Sequence, residues 1–327
     1  MQKTDEKGKL SLYIKKISKI QGVSALLPLA VVFVFFTLLS GKFLQTDNLM
    51  NILRQASVYA IMAIGMTIVI LTGGIDLGQG AVLAMCCVIC SLVINATGNM
   101  WLGILAAMAA GAVIGVVNGV MIAYVHLPAF IMTLGSLYMV RGFTLFITNS
   151  TQVNIKGADS FIFIGQGSLF GIPFPVYVFI FIGILASLFM TYTSTGRHIF
   201  AVGSNVVSAR LSGVKVEKTL IIAYTLSSVC VALASVVYLA RLTAAQPTAG
   251  DGYELQAIAA AVVGGTSMTG GEGGILGSLI GAVILAIIGN GLVLIGVGSY
   301  FTKIVVGLII VLAVTLDVTR QRIAVNK

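Results

Sequence analysis

Charge is too sparse in this chain to cover a surface exposed to water. Of 327 residues, 58% are hydrophobic and 9% are charged, where a soluble domain carries roughly 25%. Most of the outside must therefore face lipid, where backbone polar groups have to be satisfied within the chain, by helices or by a closed barrel. Apolar runs of about 20 residues, enough to span a bilayer core as a helix, decide for helices. They lie near 23–40, 54–72, 79–96, 101–124, 129–148, 174–192, 219–241, 256–271, 274–295 and 300–317. The chain reads as all-α and polytopic, with about ten spans. The third and eighth runs are short and broken by glycine, so eight is the fallback count.

The net charge of +9 sits in a few short tracts, which is topology information rather than a nucleic-acid footprint. Lys3, Lys7, Lys9, Lys15, Lys16 and Lys19 face only Asp5 and Glu6 in a basic N-terminal tail, 1–22. The loop 193–218 holds Arg197, Arg210, Lys215 and Lys218 against Glu217, and the tail 318–327 holds Arg320, Arg322 and Lys327. The positive-inside rule puts all three on the cytoplasmic side of a permease-like body, 23–317. Six spans separate the first pair and four the second, both even, as that requires. Lys42 and Arg54 fall on the opposite side with Asp47 between them. The first span follows the tail without a convincing cleavage site and reads as retained.

Catalysis is a poor fit. Two histidines, four cysteines and few acids make no nucleophile–base–orienter set. Cys86, Cys87, Cys90 and Cys230 lie inside apolar runs without adjacent metal-binding partners and read as packing residues. No Gly-x-x-x-x-Gly-Lys-Ser/Thr loop is present, so any energy for transport comes from an ion gradient or another subunit.

Two segments interrupt the helical pattern, Thr72–Gly80 and Gly264–Gly274. Glycine breaks free backbone polar groups, which at membrane depth survive only where protein or a wet cavity satisfies them. Paired breaks in two halves of a transporter point to the transport path, so Gly73, Gly74, Asp76, Gly264, Gly265 and Thr266 are candidates for it. The alternative is a pair of tight turns at the cytoplasmic face, with Asp76 capping the next helix. Arg141, midway along its span, is a further candidate, by pairing inside the bundle or by snorkelling. Asn118, His126, Thr133 and Asn290 read as interhelical ties.

Between spans six and seven, Asn205 is a good N-cap, a short amphipathic helix runs through Ala209, Arg210 and Leu211, and Gly213 is a natural stop. A helix there suits docking to a soluble partner. The stretch GRHIFAVGSNVVSARLSGV resembles the cytoplasmic coupling segment of ribose/galactose/arabinose/xylose-type ABC permeases. Residues 53–85, 257–285 and 305–317 resemble further signatures of that family, in order, so the likeness covers the chain from about residue 25.

The resemblance implies a type II-like ABC importer permease bundle in the bacterial inner membrane, with both termini cytoplasmic. It implies a permease homodimer, a cytoplasmic ATP-binding cassette protein and a periplasmic sugar-binding protein. ATP and Mg would sit on the cassette protein, with no cofactor in this chain. Asn205, Ala209, Arg210, Leu211, Ser212 and Gly213 would form the coupling helix, and the cargo would be a small pentose or hexose. Departures are Val206-Val207-Ser208, where acidic or small polar residues are usual, and Glu272, where a basic residue is common. Alternative readings are a permease of the same superfamily for another solute, such as a branched-chain amino acid, or an ion-coupled secondary transporter.

Overall fold

A computed structural model describes residues 25–156 and 159–325; the expected tail 1–22 lies outside the described residues. The chain order is α1 (Leu26–Leu39), α2 (Thr46–Ile70), α3 (Gln79–Thr97), α4 (Met100–Ala123), α5 (Ala129–Ile147), β1 (Val153–Asn154), α6 (Asp159–Gln166), β2 (Ser168–Leu169) and β3 (Ile172–Pro173). It continues with α7 (Phe174–Tyr192), α8 (Ser194–Ser204), α9 (Val206–Leu211), α10 (Val216–Leu242), β4 (Ala244–Ala245), α11 (Tyr253–Val263), α12 (Ile275–Leu294) and α13 (Ser299–Val325).

Seven of these helices, α2–α5, α7, α10 and α12, are long and apolar enough to cross a membrane. Three shorter apolar stretches, α1, α11 and Tyr300–Leu312 of α13, complete the set of ten runs. The eighth is shorter than expected: α11 stops at Val263, not near 271, because Gly264 and Gly265 turn the chain there, Gly265 at φ +93°. The last helix continues to Val325, so the boundary at 318 is one of polarity and not of backbone.

The centre of the bundle is α2, and burial is unbroken from Ala56 through its end to Thr72. A helix apolar all round is what a position inside a ring of other helices demands. It packs on α10, α12, α11 and α7, and α4 closes against α10. In lipid, helices associate by close packing, not by expelling water, so small residues decide where they touch. Gly111, Gly115 and Gly119 form one stripe of α4 on the α10 backbone: a Cβ at Gly115 would lie 2.6 Å from the Tyr224 carbonyl oxygen, and one at Gly119 2.7 Å from Ile221 Cα. The opposite faces of α4, α5 and α7 present Leu105, Val113, Tyr138, Phe146 and Phe181 outward.

One end of the bundle holds α8, α9 and both glycine breaks. The other holds α6 and two small ribbons, in which Val153 pairs with Ala245 and Ser168 with Pro173.

Candidate functional site

Three segments distant in sequence converge at the end that carries α9. Thr193 caps α8, its Oγ1 accepting from the Gly196 amide at 3.0 Å. The helix buries Ile199 and Val202 and brings Gly203 against the first break. A Cβ on Gly203 would overlap the Leu71 carbonyl oxygen. That same oxygen accepts from the Gly271 amide at 3.0 Å, joining the second break to the first. Gly270 and Gly271 hold φ of +88° and +74°, and a Cβ on Gly270 would lie 2.8 Å from the Gly73 amide nitrogen. The Thr67 and Ser278 hydroxyls, 2.6 Å apart, tie α2 to α12 beside this joint. Here α8 and the two breaks meet main chain on main chain.

Projecting from the joint is α9. Asn205 Oδ1 accepts from the Ser208 amide at 2.8 Å and starts the helix. Gly213, at φ +83°, ends it, and the Val214 amide returns to the Ala209 carbonyl at 3.0 Å. Ala209 packs with Val202 and Val216 beneath. Arg210 pairs with Glu217. Outside, two large apolar side chains, Val207 at 69% exposed and Leu211 at 84%, stand among the exposed Ser208, Arg210 and Ser212. The departure at Val206-Val207 thus adds apolar surface to the exposed face of this helix.

The candidates for a path divide between the joint and the interior. Gly73, Gly74, Gly264, Gly265 and Thr266 belong to the joint, where Gly264 abuts Gly277 and Thr266 is buried beside Ser278. Asp76 lies further in. After Ile70 the chain turns and climbs back along α2: the Gly74 amide reaches the Val69 carbonyl, and the Gln79 amide group reaches the Met62 carbonyl and the Ser227 hydroxyl. Seven residues of α2 separate those levels, about 10 Å of rise. Asp76 holds this climb, accepting from the Gly78 amide at 3.0 Å and the Ser227 hydroxyl at 2.9 Å. It closes the turn that leads into α3, whose N-cap position is Gly78, well inside the bundle.

A second unwound segment enters from the opposite end. Between Ala245, at the ribbon beside Ser91, and Gly250, beside Gly80, the chain descends past eleven residues of α3, about 16 Å. Only then does α11 begin, its eleven residues being half a bilayer core. Arg141 secures the descent: its Nη1 donates to the Pro247 carbonyl at 2.7 Å and to the Ala249 carbonyl at 2.8 Å. The first turns of α3 and α11 meet so closely that a Cβ on Gly80 would overlap Gly250 and Glu254. Backbone carbonyls freed at membrane depth are thus satisfied by a guanidinium on a neighbouring helix.

A match to the family described as "Branched-chain amino acid transport system / permease component" covers residues 48–314. The chain belongs to this permease family. It is 45% identical to the ribose import permease protein of Escherichia coli K12 over 91% of this chain and 94% of that protein. It is 37% identical to the D-allose transport system permease protein of the same strain, over 88% and 89%. With the xylose transport system permease protein of Haemophilus influenzae it shares 33% identity over 91% and 96%. No solved structure matches. The permease is a multi-pass membrane component of a transport system.

Most of the remaining polar and sulfur-bearing candidates are structural in this fold, but two expected interhelical ties are not made: both amide atoms of buried Asn118 have no hydrogen-bond partner among the described residues, and the His126 ring meets only the Tyr124 carbonyl of its own turn. The Cys86 and Cys87 thiols donate to the Ala107 and Ser235 carbonyls, and Cys90 and Cys230 are buried and free. Thr133 Oγ1 donates to the Ile75 carbonyl at 3.2 Å and steadies the climbing segment. Asn290 donates to Asn48 at 2.9 Å, and His126 sits exposed in the α4–α5 turn at φ +60°. Glu272 lies at the surface of the second break, where its carbonyl receives the Ser267 amide. Sequence reasoning passed over α8, although Thr193 is a recognisable N-cap, and it passed over the descending segment altogether.

Proposed function

We propose that this permease carries a small sugar of the pentose or hexose class inward, driven by an ATP-binding cassette protein that grips α9. The observation that carries the reading is an exposed short helix, with Val207 and Leu211 turned outward, standing on a joint of bare backbone. A partner that holds Val207 and Leu211 moves Gly203 directly, and Gly203 touches both breaks. The relatives named for ribose, allose and xylose support a sugar over a branched-chain amino acid. The absence of Walker-type residues from the sequence supports an external motor. In this reading a periplasmic binding protein supplies the sugar, two permease copies assemble, and both termini are cytoplasmic. The route follows the unwound segments, from the Arg141 clamp past Asp76 to the joint at Gly73, Gly74, Gly264, Gly265 and Thr266. Asn205 and Gly213 frame the coupling helix, Ala209 anchors it, and Arg210, Leu211 and Ser212 face the partner.

The native cysteines are buried, so single cysteines at Leu211 or Ser212 give a clean crosslinking experiment in membranes that also carry the cassette protein. Both should crosslink to it in a transporter active for ATP-driven sugar uptake. Uptake without any crosslink, or reaction of these cysteines with impermeant reagent from outside intact cells, would overturn the assignment. Leu211→Asp should lower uptake at least about tenfold while changing stability by no more than about 0.5 kcal/mol, as an exposed substitution does.

A further inference from the structure

The half of the bundle opposite α9 contains a cavity of about 590 Å³ between α2, α11, α12 and α13, beside the descending segment. That is within the range of small-molecule sites, about 300–1,000 Å³. Its lining is out of character for the chain. Gln55, Glu254, Gln256, Asn290, Thr302 and Lys303 reach it from four helices. Polar side chains gathered within a membrane bundle mark a candidate ligand or ion pathway.

The charged members already have counterparts. Lys303 Nζ lies 3.5 Å from Asp251, and Arg141 lies within electrostatic reach of Asp251 and Glu254. Two acids and two bases leave little net field for an ion. The neutral groups are less fully engaged. Gln55 gives its amide group to Tyr59 and Asn290 gives its own to Asn48, while Gln256 Oε1 and Asn290 Oδ1 have no partner among the described residues. Buried acceptors without donors are costly to leave so. Both oxygens lie behind the lining; what faces the space is close to neutral overall and offers amide and hydroxyl groups, which suits a small neutral ligand rich in hydroxyls. One wall is fixed, because the Tyr253 ring is held edge-on by Tyr59 and Tyr238 at centroid distances of 5.0 and 6.0 Å.

We infer that this cavity is a binding site for a neutral monosaccharide within a single permease copy, occupied on the side of the membrane away from α9. This rests on the sugar-importer reading and adds a resting place for the cargo. Thr302 supplies the probe, since it lines the cavity. Thr302→Cys, in the assembled transporter with ATP-driven uptake verified, is labelled with an impermeant methanethiosulfonate. Tyr300→Cys, exposed two residues away, is the control.

Millimolar D-ribose, D-xylose or D-allose should slow labelling of Thr302→Cys at least about threefold and leave Tyr300→Cys unchanged, with L-leucine ineffective. Adding Gln256→Leu should raise the half-protecting sugar concentration about fivefold, as the loss of one hydrogen bond does. If the thiol introduced by Thr302→Cys does not react, is protected by no sugar, or is protected equally by leucine, the site is overturned. Uptake persisting in that event leaves the importer reading standing. Loss of ATP-driven sugar uptake in the unmodified transporter removes both.

Discussion

The two halves of this bundle differ in how far long side chains help to hold them together. Near α9, main chain meets main chain, with Gly203 and Gly271 both at the Leu71 carbonyl. The opposite half also has backbone contacts, Gly165 on Arg241 and Gly80 on Gly250, but adds long side-chain ties: Arg141 reaches across to two carbonyls, and Lys303 reaches Asp251. Backbone contact admits no added atom and has no rotamers to exchange. Side-chain contact can be released and remade by turning a few torsions. The difference suits the α9 half to passing on a displacement and the other half to yielding to one.

The sharpest way to break this contrast is Gly203→Ala. The new methyl overlaps Leu71, and overpacking against backbone should cost about 3 kcal/mol, read as lost thermal stability in detergent and lost uptake. If Gly203→Ala proves neutral, the joint is looser than its geometry and the contrast fails. Next is Arg141→Met, which leaves the Pro247 and Ala249 carbonyls without their donor inside the membrane. A charged hydrogen-bond donor lost there should cost about 2 kcal/mol, and Arg141→Lys should recover part of it in the same melting assay. The smallest effect belongs to Lys303→Ala. The pair with Asp251 is more than three-quarters exposed, and such pairs contribute under about 1 kcal/mol. A melting shift from Lys303→Ala as large as that from Arg141→Met would show that the far half is not the compliant one.

Legibility in the sequence follows the range of the interactions. The ten apolar runs are readable because hydropathy is a local property, and the family signatures are readable as contiguous stretches. The α9 helix announces itself by Asn205 at one end and Gly213 at the other. Depth is not readable. Nothing near Pro247 says that this segment descends to Gly80, because the determining partner, Arg141, is more than 100 residues earlier. Arg141 is legible as a buried charge in need of a partner, but which partner is not. Gln55, Gln256 and Asn290 are single polar residues on separate helices, and only folding brings them to one cavity. The eighth run reads too long because small residues continue past Val263 while the backbone does not continue as helix.

Helix α10 bears on both halves at once. Its 27 residues run unbroken from Val216, beside α9, to Leu242 at the opposite ribbon, about 40 Å of rod. The glycine stripe of α4 is laid along it, and the descending segment starts where it stops. A pull applied at one membrane face therefore arrives at the other without passing through a flexible link. The same polypeptide rod that anchors α9 also carries, at its far tip, the strand of chain that Arg141 pins.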